Sequence, residues 1–206
     1  MGSSACDMGG LRKAILQGNG ELSIEELNKV LAYATPEEIL SEGVLKAWKD
    51  FAEWYERDPM GSLKSWLDCY NATYKILKAL DSAIASPSNP PFSVLVINVR
   101  GENHVLTKDI IALLIKTRGI MAHSVKRGVV YEDISGFIAD HSLKFVIISN
   151  TQSDTVEAAS HLVRQIRMVR PEIKIIAGGA TSSLIGADIV LNEPLEICRA
   201  IMPRGT

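Results

Sequence analysis

The sequence is poor in the residues that most often announce a chemistry. It holds four histidines and three cysteines in 206 residues. The cysteines (Cys6, Cys69 and Cys198) are odd in number and widely spaced, which argues against a disulfide framework and a C-x-x-C site and points to a reducing cytoplasm. No apolar run approaches the thickness of a bilayer, and the first residues lack the pattern of a secretory signal. Net charge is −2, with lysines and arginines scattered, so nothing draws the chain toward nucleic acid or an anionic membrane. Two glycine signatures are missing as well. There is neither G-x-G-x-x-G nor G-x-x-x-x-G-K-[ST], which removes the common dinucleotide and P-loop readings.

What is present falls into two grammars. A 47% share of hydrophobic residues against 22% charged supplies core for one large or two small soluble domains. Residues 1–10 read as disordered. From Leu11 to about Ala85 the spacing is helical. "SIEE" (Ser23 to Glu26) and "TPEE" (Thr35 to Glu38) both read as capping boxes, the second with Pro36 at the first helical position. Ile39, Leu40, Val44, Leu45, Trp48, Phe51, Ala52 and Tyr55 then recur along one stripe. "RDPMGS" ends that helix, and another is expected from about Leu63 to Ala85. The expectation is a four-helix bundle over 11–85. "SPSNPP" (Ser86 to Pro91) stops helix formation and reads as a linker to a second domain over 92–206.

In that domain the elements alternate. Strands are expected at 93–99, 120–125, 144–149, 173–177 and 188–191, and helices at 107–117, 132–140, 154–169, briefly after Thr181, and at 194–201. Runs such as "SVLVINV" and "KFVIIS" are nearly unbroken apolar stretches, as in strands covered on both faces. This predicts an α/β, Rossmann-like (flavodoxin-like) domain with a five-stranded parallel sheet. Its ligand crevice lies at the carboxyl ends of the strands, where the strand order reverses beside the first strand. A phosphate-accepting receiver domain would need an aspartate ending the third strand, and the text there is Ser149-Asn150.

The loop "VRGENHVLTK" (Val99 to Lys108) falls in that crevice. It offers an imidazole, His104, with the carboxylate Glu102 two residues earlier. A carboxylate on one ring nitrogen fixes the tautomer and raises the basicity of the other. No second His or Cys lies nearby, so a protein-only zinc site is not supported. One histidine with a carboxylate suits an axial ligand to a metal already held by a macrocycle. The plain alternatives are an ordinary loop histidine, a Glu102 that caps the following helix, and a Gly178-Gly179 that is simply a turn. His123, His141 and His161 have no such setting and read as surface or core residues.

Three motifs in register then carry a resemblance. Glu102-Asn103-His104-Val105-Leu106-Thr107 matches Asp-x-His-x-x-Gly after a first strand, Ser149-Asn150-Thr151 matches Ser-x-Leu after a third, and Gly178-Gly179 matches Gly-Gly after a fourth. With "AGGATSSLIGAD" (Ala177 to Asp188) and "PEEILSEGVLKAWKDFAEWYER" (Pro36 to Arg57), the chain resembles the corrinoid proteins of anaerobic methyltransferase and O-demethylase systems. It is similar also to the cobalamin-binding modules of methionine synthase. The likeness runs from about Leu11 to Ile201. It departs at Glu102 (for Asp), at Thr107 (for Gly), at Asn150-Thr151, and at Gly61-Ser62-Leu63-Lys64-Ser65, where the family places an aromatic cover for cobalt. Trp48, Trp54, Tyr55 and Trp66 are the candidates to replace that cover.

The resemblance implies cobalamin as cofactor, bound base-off with histidine on. His104 would be the metal ligand, and His104 with Glu102 the reactive pair. Gly101, Glu102, Asn103, His104, Val105, Leu106 and Thr107 would lie against the cofactor. Ser149, Thr151, Ser153, Thr155, Gly178, Gly179, Ala180 and Thr181 would line the slot for its tail. The paired glycines allow close approach, Ser149 supplies a hydroxyl for the buried base, and Thr155 or Ser153 completes a relay with Glu102. The implied activity is methyl carriage on cobalt, turning over only with partners. These are a substrate-demethylating methyltransferase and a second methyltransferase, for which tetrahydrofolate is a candidate acceptor; a reductive activator is a further partner the family admits. The bundle would cover the methyl face and swing on the linker; of the donors the family admits, methanol, methylamines and phenyl methyl ethers, methyl ethers are the expected ones. A cobalamin- or haem-binding sensor is the alternative function, although no histidine precedes His104 to serve as an upper ligand. The small subunit of an adenosylcobalamin mutase and a corrinoid-storage relative are two more.

Overall fold

The Thr35 hydroxyl accepts a hydrogen bond from the Glu38 amide while the Glu38 carboxylate accepts one from the Thr35 amide. This capping box starts the central helix of the N-terminal half, with Pro36 as its first residue. The computed structural model describes residues 7–125, 128–140 and 142–201, without the side chains of 60–64 and 140. His141 therefore lies outside the described residues. Two compact units emerge, 1–85 and 86–206.

In the first unit α1 (Gly9–Leu16), α2 (Gly20–Val30), α3 (Pro36–Glu38), α4 (Lys46–Arg57) and α5 (Pro59–Ala83) follow one another. A π-helical segment, Ile39–Leu45, joins α3 to α4 without a break, so four helical rods form, as the spacing predicts. Leu11, Ile15, Leu27, Ile39, Leu40, Val44, Ile76 and Leu80 are each 0–1% exposed and compose their core. Gly43 sits inside the π segment where a Cβ would come within 2.9 Å of Leu11 Cδ2, so the missing side chain lets α1 press against the widened turn. Trp48 is tied inward, its indole N–H donating to Thr73 Oγ1 at 2.9 Å. Trp54, Tyr55 and Trp66 remain 37–40% exposed.

Three local expectations need correction. "SIEE" is no helix start: α2 begins at Gly20, Asn19 caps it by accepting from the Leu22 amide at 3.0 Å, and Ser23 is fully buried within it. Asn is as strong a cap as Ser and comes first along the chain. The long helix after "RDPMGS" begins at Pro59 rather than Leu63, because proline suits a first helical turn. At the N-terminus, Met8 is buried and α1 starts at Gly9, so order begins before Leu11.

The second unit alternates as expected: β1 (Ser93–Asn98), α6 (Val105–Lys116), β2 (Met121–Ser124), α7 (Tyr131–Asp140), β3 (Leu143–Ser149), α8 (Val156–Val169), β4 (Lys174–Gly178), β5 (Ile189–Val190) and α9 (Pro194–Ile201). Short 3₁₀ turns at Ser153–Thr155 and Ser182–Leu184 complete the order. All pairings are parallel, in the order β2-β1-β3-β4-β5. The chain leaves β1 toward β2 on one side and returns to β3 on the other, which opens the crevice at the carboxyl end of β1.

Alternation sorts the strand residues onto two faces. Leu95, Ile97, Val99, Val146, Ile148, Ile175 and Ala177 pack with Ile134 and Ile138 of α7 and with Leu162, Val163 and Ile166 of α8. The intervening residues face the α6 and α9 side. There Asn98, Ser149 and Gly178 stand side by side in register at the carboxyl ends of β1, β3 and β4. An apolar sheet therefore ends in a row of one amide, one hydroxyl and one bare backbone.

Candidate functional site

The loop after β1 turns sharply at Gly101, whose φ of +98° is a backbone region that side-chain-bearing residues rarely adopt. A Cβ there would also sit 3.2 Å from Thr155 Cγ2. The turn directs Glu102 inward, 4% exposed, and leaves Asn103 and His104 at the surface. Glu102 Oε1 receives the His104 amide at 2.9 Å and the His104 imidazole Nδ1 at 2.7 Å. Glu102 Oε2 reaches the loop after β3 and receives the amides of Thr151 at 2.6 Å and Gln152 at 3.1 Å.

Burial alone would push the Glu102 carboxyl up. The amides of Thr151 and His104, the His104 ring and the Gln152 amide outweigh it and hold the carboxyl below its usual range. The group is therefore an anion at neutral pH. A carboxylate only accepts, so His104 Nδ1 carries the proton, and the lone pair of the neutral ring falls on Nε2. The His104 side chain is 54% exposed while that of Glu102 is fully covered, so the free nitrogen belongs to an accessible ring on a buried mount.

Beside this pair lies a slot of about 160 Å³ lined by Thr107, Ile111, Ile147, Ile148, Ser149, Thr151, Gly178, Gly179, Asn192, Pro194 and Ile197. Gly178 and Gly179 keep it open. A Cβ on Gly178 would lie 2.9 Å from the Leu191 carbonyl and 3.1 Å from Ile197 Cδ1, and one on Gly179 (φ +110°) would lie 2.4 Å from the Asn150 carbonyl. Asn150, fully buried, knits the surrounding loops. Its Nδ2 donates to Thr181 Oγ1 at 2.7 Å, and its Oδ1 accepts from Thr155 Oγ1 at 2.8 Å.

Of the residues expected from the sequence, the structure brings Thr107, Ser149, Thr151, Gly178 and Gly179 into the slot wall. It joins Glu102, His104 and Thr151 by hydrogen bonds. Val105 opens α6, Leu106 is buried beneath it, and Ser153 and Ala180 are exposed outside that wall. The expected hydroxyl relay is not formed. Thr155 Oγ1 donates to Asn150 Oδ1 and to the Gln152 carbonyl instead, because two backbone amides already occupy the Glu102 oxygen that faces this loop. Thr181 lies outside the slot wall and bonds Asn150 and the Gln152 carbonyl.

Asn98 was not singled out by its sequence pattern. It is fully buried, donates to the His104 carbonyl at 3.3 Å, and leaves its Oδ1 without a hydrogen-bond partner. A lone polar residue ending an apolar strand, directly opposite Ser149 in the sheet register, was the available signal. The slot residues of α9 were also unmarked, since Pro194 and Ile197 look like ordinary helix-start and core positions.

A parallel sheet with order 2-1-3-4-5, an accessible imidazole mounted on a buried carboxylate, and a glycine-lined slot at the switch point define a flavodoxin-like domain with a ligand crevice. Residues 92–205 match the B12 binding domain family, and the chain belongs to it. Its cofactor is cobalamin. The chain is 21% identical over 178 residues to dimethylamine corrinoid protein 3 of Methanosarcina acetivorans, covering 85% of this chain and 83% of that one. In fold it is similar to the monomethylamine corrinoid protein of Methanosarcina barkeri (TM-score 0.76, 17% identity, 92% and 94% of the two chains). It is similar also to a chain of the methanol:cobalamin methyltransferase complex of the same organism (TM-score 0.51, 14% identity, 93% and 76%).

The residues present fit a corrinoid. The two glycines hold open a cradle that a Cβ would fill, and an unpaired buried oxygen, Asn98 Oδ1, stands in the row beside Ser149, where an unmet acceptor calls for a polar ligand or water. With Nδ1 held by Glu102, the other imidazole nitrogen would be the one to meet a metal. Among the described residues no three His, Cys, Asp or Glu side chains cluster as a metal site of their own. None of the described helices is long and apolar enough to cross a membrane.

Proposed function

We propose that this chain is a methyl carrier that holds cobalamin base-off, with His104 Nε2 as the lower axial ligand and the nucleotide tail in the slot, and passes a methyl group between two partner methyltransferases. The observation that carries this reading is the His104 Nδ1 to Glu102 Oε1 hydrogen bond of 2.7 Å, which fixes the tautomer that presents Nε2. Bound cobalamin supplies the reaction itself, a cobalt that takes up and gives up a methyl group. The protein's own residues do the rest. Glu102 holds the proton on Nδ1 and orients the ring. Gly178 and Gly179 admit the tail, and Ser149 offers it a hydroxyl at the end of β3.

Two donor classes follow from different grounds. The sequence resemblance favours a methyl ether, with tetrahydrofolate as the final acceptor. The homologous dimethylamine corrinoid protein favours a methylated amine. The experiment supplies the reconstituted protein with isotopically labelled methyl ether, methylamine or methanol, each with a methyltransferase specific for that donor. Label appearing on the bound corrinoid with one donor supports carriage and names the class. Label from an amine alone removes the O-demethylation reading and leaves the carrier reading intact. Tight binding of cobalamin without label from any donor would contradict carriage.

A further inference from the structure

Glu102 touches two things that the carrier reading treats separately. Its Oε1 holds the imidazole, while its Oε2 holds the backbone of Thr151 and Gln152. Thr151 is itself part of the slot wall, and its Oγ1 lies 3.0 Å from where a Cβ on Gly179 would stand. One fully covered carboxylate therefore spans the tail's wall and the metal's ligand. The bonds are to backbone amides, so any shift of the Thr151–Gln152 segment displaces an acceptor whose other oxygen fixes His104. On its other side the segment is tied through the Gln152 carbonyl to Thr155 Oγ1 and Thr181 Oγ1, and both hydroxyls also bond the buried Asn150, so Thr151 and Gln152 stand between a fixed network and Glu102.

We propose that Glu102 couples slot occupancy to the axial imidazole: a tail seated against Thr151 sets, through the Thr151 and Gln152 amides and the carboxylate, where His104 Nε2 stands. This rests on the reading of His104 as the lower ligand and adds that the tail is a positioning element for it. Such coupling is a free energy between two sites, and typical values correspond to about 5- to 150-fold.

The test compares cobalamin with cobinamide, which keeps the corrin and cobalt but lacks the nucleotide tail. Each is bound at saturation to wild type, Glu102→Asp and Glu102→Gln protein, with helical content and melting checked by circular dichroism. The readout is the paramagnetic spectrum in the cobalt(II) state of ¹⁵N-histidine-labelled protein, where an axial histidine nitrogen splits the cobalt lines into doublets and the vitamin's own base would split them into triplets. In wild type the ratio of histidine-ligated to unligated protein should be about fivefold or more higher with cobalamin than with cobinamide. In Glu102→Asp, whose shorter arm keeps the imidazole but gives up the Thr151 loop, the two corrinoids should be ligated alike. Glu102→Gln should show the same loss of difference at a lower ligated fraction. Equal ligation of both corrinoids in wild type overturns the coupling, and so does a folded Glu102→Asp protein that keeps the full difference. Absence of histidine ligation by wild type with cobalamin overturns the axial-ligand reading, which separates that failure from this one.

Discussion

The Oε2 atom of Glu102 accepts a hydrogen bond of 2.6 Å from the Thr151 amide, 49 residues further along the chain. The relationship explains why the carboxylate after β1 carries a glutamate's length. With Oε1 engaged by His104, the extra methylene brings the second oxygen to the loop after β3. The side chain that mounts the imidazole is thereby also a brace between two loops of the crevice.

Replacing Glu102 by alanine removes the acceptor of three backbone amides and of the His104 ring at once. The expected cost is about 2 to 4 kcal/mol of stability at neutral pH, since unmet buried donors cost about 1 to 3 kcal/mol each and water will reach some of them. Glu102→Gln should keep most of the fold and lower cobalamin affinity by about 10- to 100-fold, the usual effect of disturbing the partner of a ligating histidine. Denaturant melts and equilibrium titration check the two numbers separately.

Filling the slot from its floor should discriminate between the tail and the rest of the ligand. Gly178→Ala places a methyl group 2.9 Å from the Leu191 carbonyl and 3.1 Å from Ile197 Cδ1, which the backbone must move to accept. Cobalamin binding should weaken by about tenfold or more and cobinamide binding by much less, each step of ten being about 1.4 kcal/mol. Equal loss for both ligands would place the tail elsewhere. Gly179→Ala, at a φ of +110° and 2.4 Å from the Asn150 carbonyl, is expected to reduce stability as well, by about 1 to 3 kcal/mol.

Much of the fold was legible for concrete reasons. The strands of the second unit are unbroken apolar runs between glycine, proline and polar breaks, and all five strands appear within two residues of expectation. The "TPEE" box was legible because proline and glutamate each have one sensible place in it. "SIEE" misled because the same letters inside a helix carry no mark of their depth, and Asn19 upstream caps first. The π segment Ile39–Leu45 was hidden, because one additional residue per turn barely disturbs a helical stripe. At the site, His104 and Glu102 were readable as near neighbours in sequence. The Thr151 and Gln152 contacts were not, since a backbone amide is present at every non-proline position and leaves no trace in the residue letters.

Asp188 predicts a specific acid sensitivity. It accepts from the Ile175 amide at 2.8 Å and from Arg167 at 2.7 Å, tying the turn before β5 to β4 and α8. Burial pushes its carboxyl up, but the Ile175 amide and the Arg167 guanidinium outweigh this and hold it below the usual aspartate range. A carboxyl lowered in the native state gives stability that is complete above its unfolded value, about 3.9, and is lost as pH falls through the lower native one. Asp188→Asn should therefore cost about 1 to 2 kcal/mol at pH 7. That cost should shrink as the pH falls below about 4, so thermal melts of both proteins converge there. Parallel melting curves at every pH would contradict the assignment.

The most direct measurement of the central claim is the cobalt(II) paramagnetic spectrum of cobalamin bound to protein labelled with ¹⁵N-histidine. If His104 is the lower ligand, the axial nitrogen splitting changes from a triplet to a doublet on labelling, and it disappears in unlabelled and labelled His104→Ala alike. A triplet that is untouched by the label and persists in His104→Ala would mean that the vitamin's own base still holds the cobalt, and the account would be wrong.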